Sequence, residues 1–206
     1  MILMTWACLL GVAYLIGSIP TGYLVTKCVA RGTDIRTKGS GNVGATNVAR
    51  VAGTWPGLVV LLLDAGKGAL VVGLVPGWWP GAPPLLLVRL VMGFAVVIGH
   101  DYPCFLRFQG GKGIATTLGV LIVLLPSLAG VCALVWAAVF AWTRYVSLAS
   151  IAASLALPLG LVIAGHPAST VMVGSCLAWL AIYRHRANIH RLSLGQEPQF
   201  GSHSSR

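Results

Sequence analysis

Long apolar runs alternate with short segments that hold most of the glycine and cations, and this alternation limits the possible folds more than any other feature. The runs lie at about 2–26, 55–75, 85–99, 114–143 and 147–183, and the polar segments of interest are Arg31 to Arg50, Arg107 to Gly113 and Arg184 to Arg191. With 57% hydrophobic and 9% charged residues among 206, so much apolar surface cannot be hidden in a soluble core. The expectation is an all-α integral membrane protein, because a helix satisfies its own backbone in hydrocarbon and needs about 20 residues to cross it.

Two runs are too long for one crossing. Pro126-Ser127 divides the first and Gly165-His166-Pro167 the second, which predicts seven transmembrane helices. Twelve of the 14 Lys and Arg then fall on one side, with only Lys67 and Arg89 elsewhere. The positive-inside rule makes that side cytoplasmic, with the N-terminus outside and the C-terminus cytoplasmic. Residues 1–195 read as a single polytopic domain and 196–206 as a polar cytoplasmic tail, the one candidate for disorder. The N-terminal run lacks a basic leader and a convincing cleavage site, so it reads as the first span, not a signal peptide. Five widely spaced cysteines, mostly in apolar runs, read as core residues and not as a disulfide framework.

The 14 cations face only Asp34, Asp64, Asp101 and Glu197. Such a balance calls for an anionic partner: a lipid headgroup, a phosphorylated metabolite, or both. Nucleic acid is not expected, because no recognition helix or stacking platform is visible.

Three segments can carry chemistry. In the first, Gly39, Gly41 and Gly44 permit tight backbone turns while Ser40, Asn42, Thr46 and Asn47 add short polar groups and Arg50 a planar fork. This is either a phosphate cradle backed by the start of the second helix near Asn47, or a glycine-rich turn with polar caps. In the second, Gly110, Gly111, Lys112 and Gly113 precede Thr116 and Thr117. Lys112 is followed by glycine, so this is not a Walker A loop, and it reads either as an anion site or as a flexible turn with a snorkelling lysine. In the third, Arg184, His185, Asn188 and Arg191 share a helix face, as a site or as a basic anchor. Asp64 and Lys67, three apart in an apolar run, are expected to pair. His166 is read as structural, and Glu197 either as a C-terminal clamp or as a solvated tail carboxylate.

Several chemistries lose support. No His is followed five positions later by Asp, no GxSxG elbow occurs, and the histidines lack ligand-like spacing with cysteine or carboxylate. No metal or cofactor is therefore expected.

Taken together, GSIPTGYL (Gly17 to Leu24), GSGNVGATNVAR (Gly39 to Arg50), LDAGKG (Leu63 to Gly68), GHDYPCFLRFQGGKGIAT (Gly99 to Thr116), RYVSLAS (Arg144 to Ser150) and RHRANIHRLSLGQE (Arg184 to Glu197) cover most of the chain in order. In these blocks the chain resembles the bacterial membrane-bound acyl-phosphate:glycerol-3-phosphate acyltransferases. The resemblance implies seven spans in the bacterial inner membrane, with the active site facing the cytoplasm. It also implies transfer of a fatty acyl group from acyl phosphate to the 1-hydroxyl of glycerol 3-phosphate, giving lysophosphatidic acid and inorganic phosphate.

By the same resemblance, Ser40, Arg50 and Lys112 are phosphate ligands of glycerol 3-phosphate, and His185 and Asn188 hold the alcohol. The backbone from Gly41 to Thr46, including Asn42 and Gly44, cradles the acyl-phosphate head, while Gly110, Gly111 and Gly113 shape the approach beside Lys112. The catalytic group is then His185, Lys112 and Asn188, with the general base either His185 or a substrate phosphate oxygen. Membrane lipids and an enzyme that produces acyl phosphate are the expected partners. The competing reading is a small transporter of organic phosphates, which should show polar lining at the midplane beyond Asp64 and Lys67.

Overall fold

The computed structural model describes residues 2–73 and 86–201. The segment 74–85, which the sequence reading puts between the second and third spans, and the tail beyond Gly201 lie outside the described residues. The described chain is all-helical and divides into two compact units, Met1–Leu125 and Pro126–Arg206.

In the first unit, α1 (Ile2–Ser18) and α2 (Thr21–Val29) make up the first apolar run. The run expected as one helix is broken at Ile19-Pro20, because Pro20 has no N–H to continue the ladder. A short α3 (Ala45–Ala52) and the long α4 (Thr54–Gly73) follow, then α5 (Leu86–Asp101) and α6 (Ile114–Leu124). The helix beginning near Asn47 is thus the separate α3 and not the second span. Gly53, at φ 104, ends it where a side chain would be strained.

Helices in this unit meet at glycines. A β-carbon on Gly17 would overlap the Val96 carbonyl, and one on Gly99 the Tyr14 carbonyl, so α1 and α5 touch backbone to backbone. Gly68 and Gly119 bring α4 and α6 together in the same way against Thr116 and Ala65. Small residues drive such contacts in lipid, where close van der Waals packing replaces the hydrophobic effect between helices.

The second unit contains α7 (Pro126–Thr143), α8 (Val146–Ile163), α9 (Ala168–Arg184) and the short α10 (Arg186–Ser193). Both expected breaks are present, between Leu124 and Pro126 and between Ile163 and Ala168. Pro126 opens α7, a position where its missing N–H has no intrahelical partner to lose. The Trp136 indole donates to Ser150 Oγ at 3.2 Å, linking α7 to α8. The tail folds back in this unit, with the Phe200 N–H donating to the Arg144 carbonyl at 2.9 Å.

Among the described residues, five segments are long and apolar enough to cross a membrane: Trp6–Val29, Thr54–Gly73, Leu86–Leu106, Pro126–Thr143 and Val146–Ile163. Ile114–Leu124 and Ala168–Arg184 are apolar but shorter. At about 1.5 Å per residue, α6 is only about 16 Å long.

Replacing Gly119 by Leu should lower the thermal midpoint in detergent, since overpacking a tight contact costs about 1–3 kcal/mol. Gly66, with open space at its β-position, should accept Ala without loss. Equal effects at the two positions would refute backbone contact as the reason for Gly119.

Candidate active site

The first unit builds a polar loop on an apolar floor. Ile35, Val43 and Val48 are buried with Val60 and Leu106, which anchors the segment from 35 to 48 at both ends and leaves the residues between them to turn. Asp34 caps the turn Ile35–Thr37, accepting from the Arg36 N–H and pairing with its guanidinium at 2.7 Å. The hydrogen bonds from Arg36 hold the Asp34 carboxyl below its usual range.

Asn47 organises this loop. It is 2% exposed, its Oδ1 accepts the Ser40 N–H at 2.9 Å, and its Nδ2 donates to the carbonyls of Lys38 at 3.0 Å and Asn42 at 2.9 Å. One amide therefore closes the turn through Gly39 and Gly41, whose φ values are 58 and 70. Its role is architectural, because both ends of the side chain bind the loop itself. On α3, Thr46 and Arg50 lie one turn apart on the side away from buried Val48, with Arg50 exposed. Ser40 is exposed, with its backbone held by Asn47.

The second glycine loop joins the first. Asn42 Nδ2 donates to the Gly110 carbonyl at 3.3 Å while Asn42 Oδ1 accepts the Gly44 N–H at 2.8 Å. A single side chain thus ties together the two segments singled out in the sequence. Gly110 and Gly111 are buried against the end of α5: a β-carbon on Gly110 would overlap the His100 carbonyl, and one on Gly111 the His100 ring. Gly113, at φ 72, caps α6. Lys112 is the one residue of the four with a side chain, and it is half-buried beside the N-terminus of α6.

The expected pairing of Asp64 with Lys67 is present at 2.9 Å, with both groups buried. His100, which the sequence reading passed over, lies 3.4 Å from Asp64. The signal for it was the cost of burying charge in a span, which calls for more partners than one ion pair supplies.

The second unit holds the third segment. His185 joins α9 to α10 and is buried, with Nδ1 2.7 Å from the Ala181 carbonyl. A carbonyl only accepts, so Nδ1 carries a proton and donates it there. Asn188 is buried in α10, and its Nδ2 donates to Glu197 Oε1 at 2.7 Å. Ser147 donates to the same oxygen at 2.7 Å, and Arg191 pairs with Oε2 at 2.7 Å. Of the two readings of Glu197, the buried clamp describes its position. The signal was charge: Glu197 is the single carboxylate after Asp101, in a stretch that holds Arg144, Arg184, Arg186 and Arg191.

Residues 7–195 match the family model for glycerol-3-phosphate acyltransferase. The chain belongs to that family. It is 50% identical over 191 residues to the glycerol-3-phosphate acyltransferase of Desulforudis audaxviator, covering 93% of each, and 45% identical over 197 residues to that of Aquifex aeolicus, covering 91% of this chain and 95% of the relative. Its fold matches crystal structures of PlsY (YgiH), an integral membrane glycerol 3-phosphate acyltransferase. The glycerol 3-phosphate form aligns with a TM-score of 0.87 at 43% identity, and the lysophosphatidic acid form with 0.84 at 42%, each over 96% of both chains.

The acyltransferase is thus a multi-pass membrane enzyme, and acyl transfer is its activity. In it, Glu197 is a charged anchor for Asn188. Burial pushes its carboxyl up, but hydrogen bonds from Asn188, Ser147 and Arg191 and the charge of Arg191 outweigh this and hold it below the usual 4.5. Unfolded, Glu197 binds a proton more readily than when folded, so its stabilisation is complete above pH 4.5 and is lost as the pH falls through the lowered folded value. Thermal midpoints measured against pH should fall in that acid range for the wild type. The Glu197→Gln variant should be less stable at neutral pH and should lack this part of the pH dependence.

Proposed function

We propose that this acyltransferase transfers the acyl group of acyl phosphate to the 1-hydroxyl of glycerol 3-phosphate, giving lysophosphatidic acid and inorganic phosphate. The observation that carries the reading is the tie from Asn42 to Gly110, which joins the two glycine loops, one bearing Ser40 and leading into the helix of Arg50, the other bearing Lys112. Backbone N–H groups at helix starts and a pair of cations suit phosphate oxygens. The two PlsY crystal structures, one a glycerol 3-phosphate form and one a lysophosphatidic acid form, support the acceptor and the product.

In this reading Ser40, Arg50 and Lys112 bind the phosphate of glycerol 3-phosphate, and the backbone from Gly41 to Thr46 binds the acyl-phosphate head. His185 and Asn188 hold the alcohol, with His185 Nε2 as acceptor for the 1-hydroxyl. The hydroxyl oxygen attacks the acyl carbon, the carbon–oxygen bond to phosphate breaks, and the hydroxyl proton passes to a base, either His185 or a phosphate oxygen of the substrate. No covalent enzyme intermediate is needed, because acyl phosphate is already an activated mixed anhydride. The protein's contribution is orientation and charge stabilisation.

The proposed topology has seven spans, with the N-terminus outside and the C-terminus and active site at the cytoplasmic face of the bacterial inner membrane. Its supports are the two helix breaks, the two shorter apolar helices beside the five long segments, and the one-sided distribution of cations. Membrane lipids surround it, and an enzyme producing acyl phosphate supplies the donor.

Purified protein in lipid should release phosphate from palmitoyl phosphate only with glycerol 3-phosphate present and should form lysophosphatidic acid. Turnover with acyl-CoA in place of acyl phosphate would overturn the donor assignment. Arg50→Ala should raise the KM for glycerol 3-phosphate about 10- to 100-fold, the range for losing a charged hydrogen bond. His185→Gln and His185→Ala separate the bases: a loss of only a few-fold in single-turnover rate leaves the substrate phosphate as the base, and a loss above about a hundredfold assigns His185.

A further inference from the structure

Lys67 sits in α4, where its ammonium needs three acceptors. It finds the Gly17 carbonyl at 3.2 Å, the Ile19 carbonyl at 3.0 Å and Asp64 Oδ1 at 2.9 Å. The Gly17 carbonyl comes from the end of α1, and the Ile19 carbonyl from the break before α2, where it also accepts the Thr21 N–H at 3.0 Å. All three protons are thereby used. His100 Nδ1 lies 3.3 Å from the ammonium and 3.4 Å from Asp64 Oδ1, so it carries its own proton and turns it toward the carboxylate. The Thr21 hydroxyl donates to the same oxygen.

This arrangement fixes the imidazole plane from one edge. The opposite edge faces the glycine loop, where a β-carbon on Gly111 would overlap Nε2 and both neighbouring ring carbons. The main chain adds a second hold, since the Gly111 N–H donates to the His100 carbonyl at 2.9 Å. His100 therefore grips Gly111 through its carbonyl and its ring, and the next residue is Lys112.

We propose that His100, anchored by Asp64 and Lys67, is a positioning residue that clamps Gly111 and so fixes the aim of Lys112 at the substrate phosphate. The proposal rests on Lys112 being a phosphate ligand. It also gives the buried ion pair a part in the reaction, because the same charges that close the α1–α2 break hold the ring under the loop. His100 touches no reacting atom.

The test uses His100→Asn, which keeps a donor near Asp64 but removes the ring beneath Gly111. In lipid, the KM for glycerol 3-phosphate should rise about tenfold, with kcat within about threefold and the KM for palmitoyl phosphate unchanged, as expected when a contact made equally in ground and transition states is loosened. Amide hydrogen exchange across residues 110–113 should quicken, while the thermal midpoint moves by only a few degrees. Gly111→Ala alone should be severely impaired by collision with the ring, and adding His100→Asn to it should recover part of the loss. A KM for glycerol 3-phosphate within twofold of wild type in folded His100→Asn overturns the clamp. So does a uniform loss of active protein with both KM values unchanged. If His100→Asn does not fold, His100→Gln is read by the same criteria, and failure of both to fold makes the residue structural and the proposal wrong. Lys112→Ala separates the two assignments: an unchanged KM for glycerol 3-phosphate there would remove Lys112 as the ligand, and the exchange data would then judge the clamp alone.

Discussion

An ammonium group inside an apolar span must be surrounded by acceptors or it will not stay charged, and in the first unit this demand on Lys67 shapes much else. Its three acceptors include two carbonyls beside the break at Ile19-Pro20, those of Gly17 and of Ile19, the second of which also accepts the Thr21 N–H. Without the cation, the Gly17 carbonyl at the end of α1 would lose the donor that Lys67 supplies, and an unsatisfied carbonyl in an apolar span costs several kcal/mol. Asp64 balances the charge, and Thr21 and His100 share its oxygen. The break, the ion pair and the imidazole are one solution to one electrostatic problem.

Glycine does two different jobs in the polar segments. At Gly39, Gly41 and Gly113 it supplies positive backbone torsions that tighten a turn. At Gly110 and Gly111 it removes side-chain bulk so that the loop can lie on the end of α5. The second job seats the cation-bearing loop on the end of α5 although it is almost without side chains. It is held by the surface beneath it and by the amide of Asn42, which reaches across from the other loop.

The second unit applies the same economy with one carboxylate. Glu197 gathers Ser147 from α8 and Asn188 and Arg191 from α10, so that a residue near the chain's end fixes a side chain nine positions earlier. His185 receives its orientation separately, from the last turn of α9. His185 and Asn188 are thus oriented by neighbours, Ala181 and Glu197, that the resemblance does not put in the site.

The sequence by itself determined the helical membrane class, both helix breaks in the C-terminal half and the segments that hold the chemistry, because hydropathy, proline and charge act locally and can be read along the chain. It also determined the pairing of Asp64 with Lys67, since residues three apart on a helix must meet. What it left open were contacts between residues far apart in sequence: the reach of Asn42 to Gly110, the place of His100 beside Asp64, and the choice between clamp and solvated tail for Glu197. It also left open what Asn47 does in that segment, where the fold uses its amide to close the loop. These were decided only by the tertiary structure, because a polar side chain carries the same hydrogen-bonding groups whether it faces a substrate or its own backbone, and only packing selects between them.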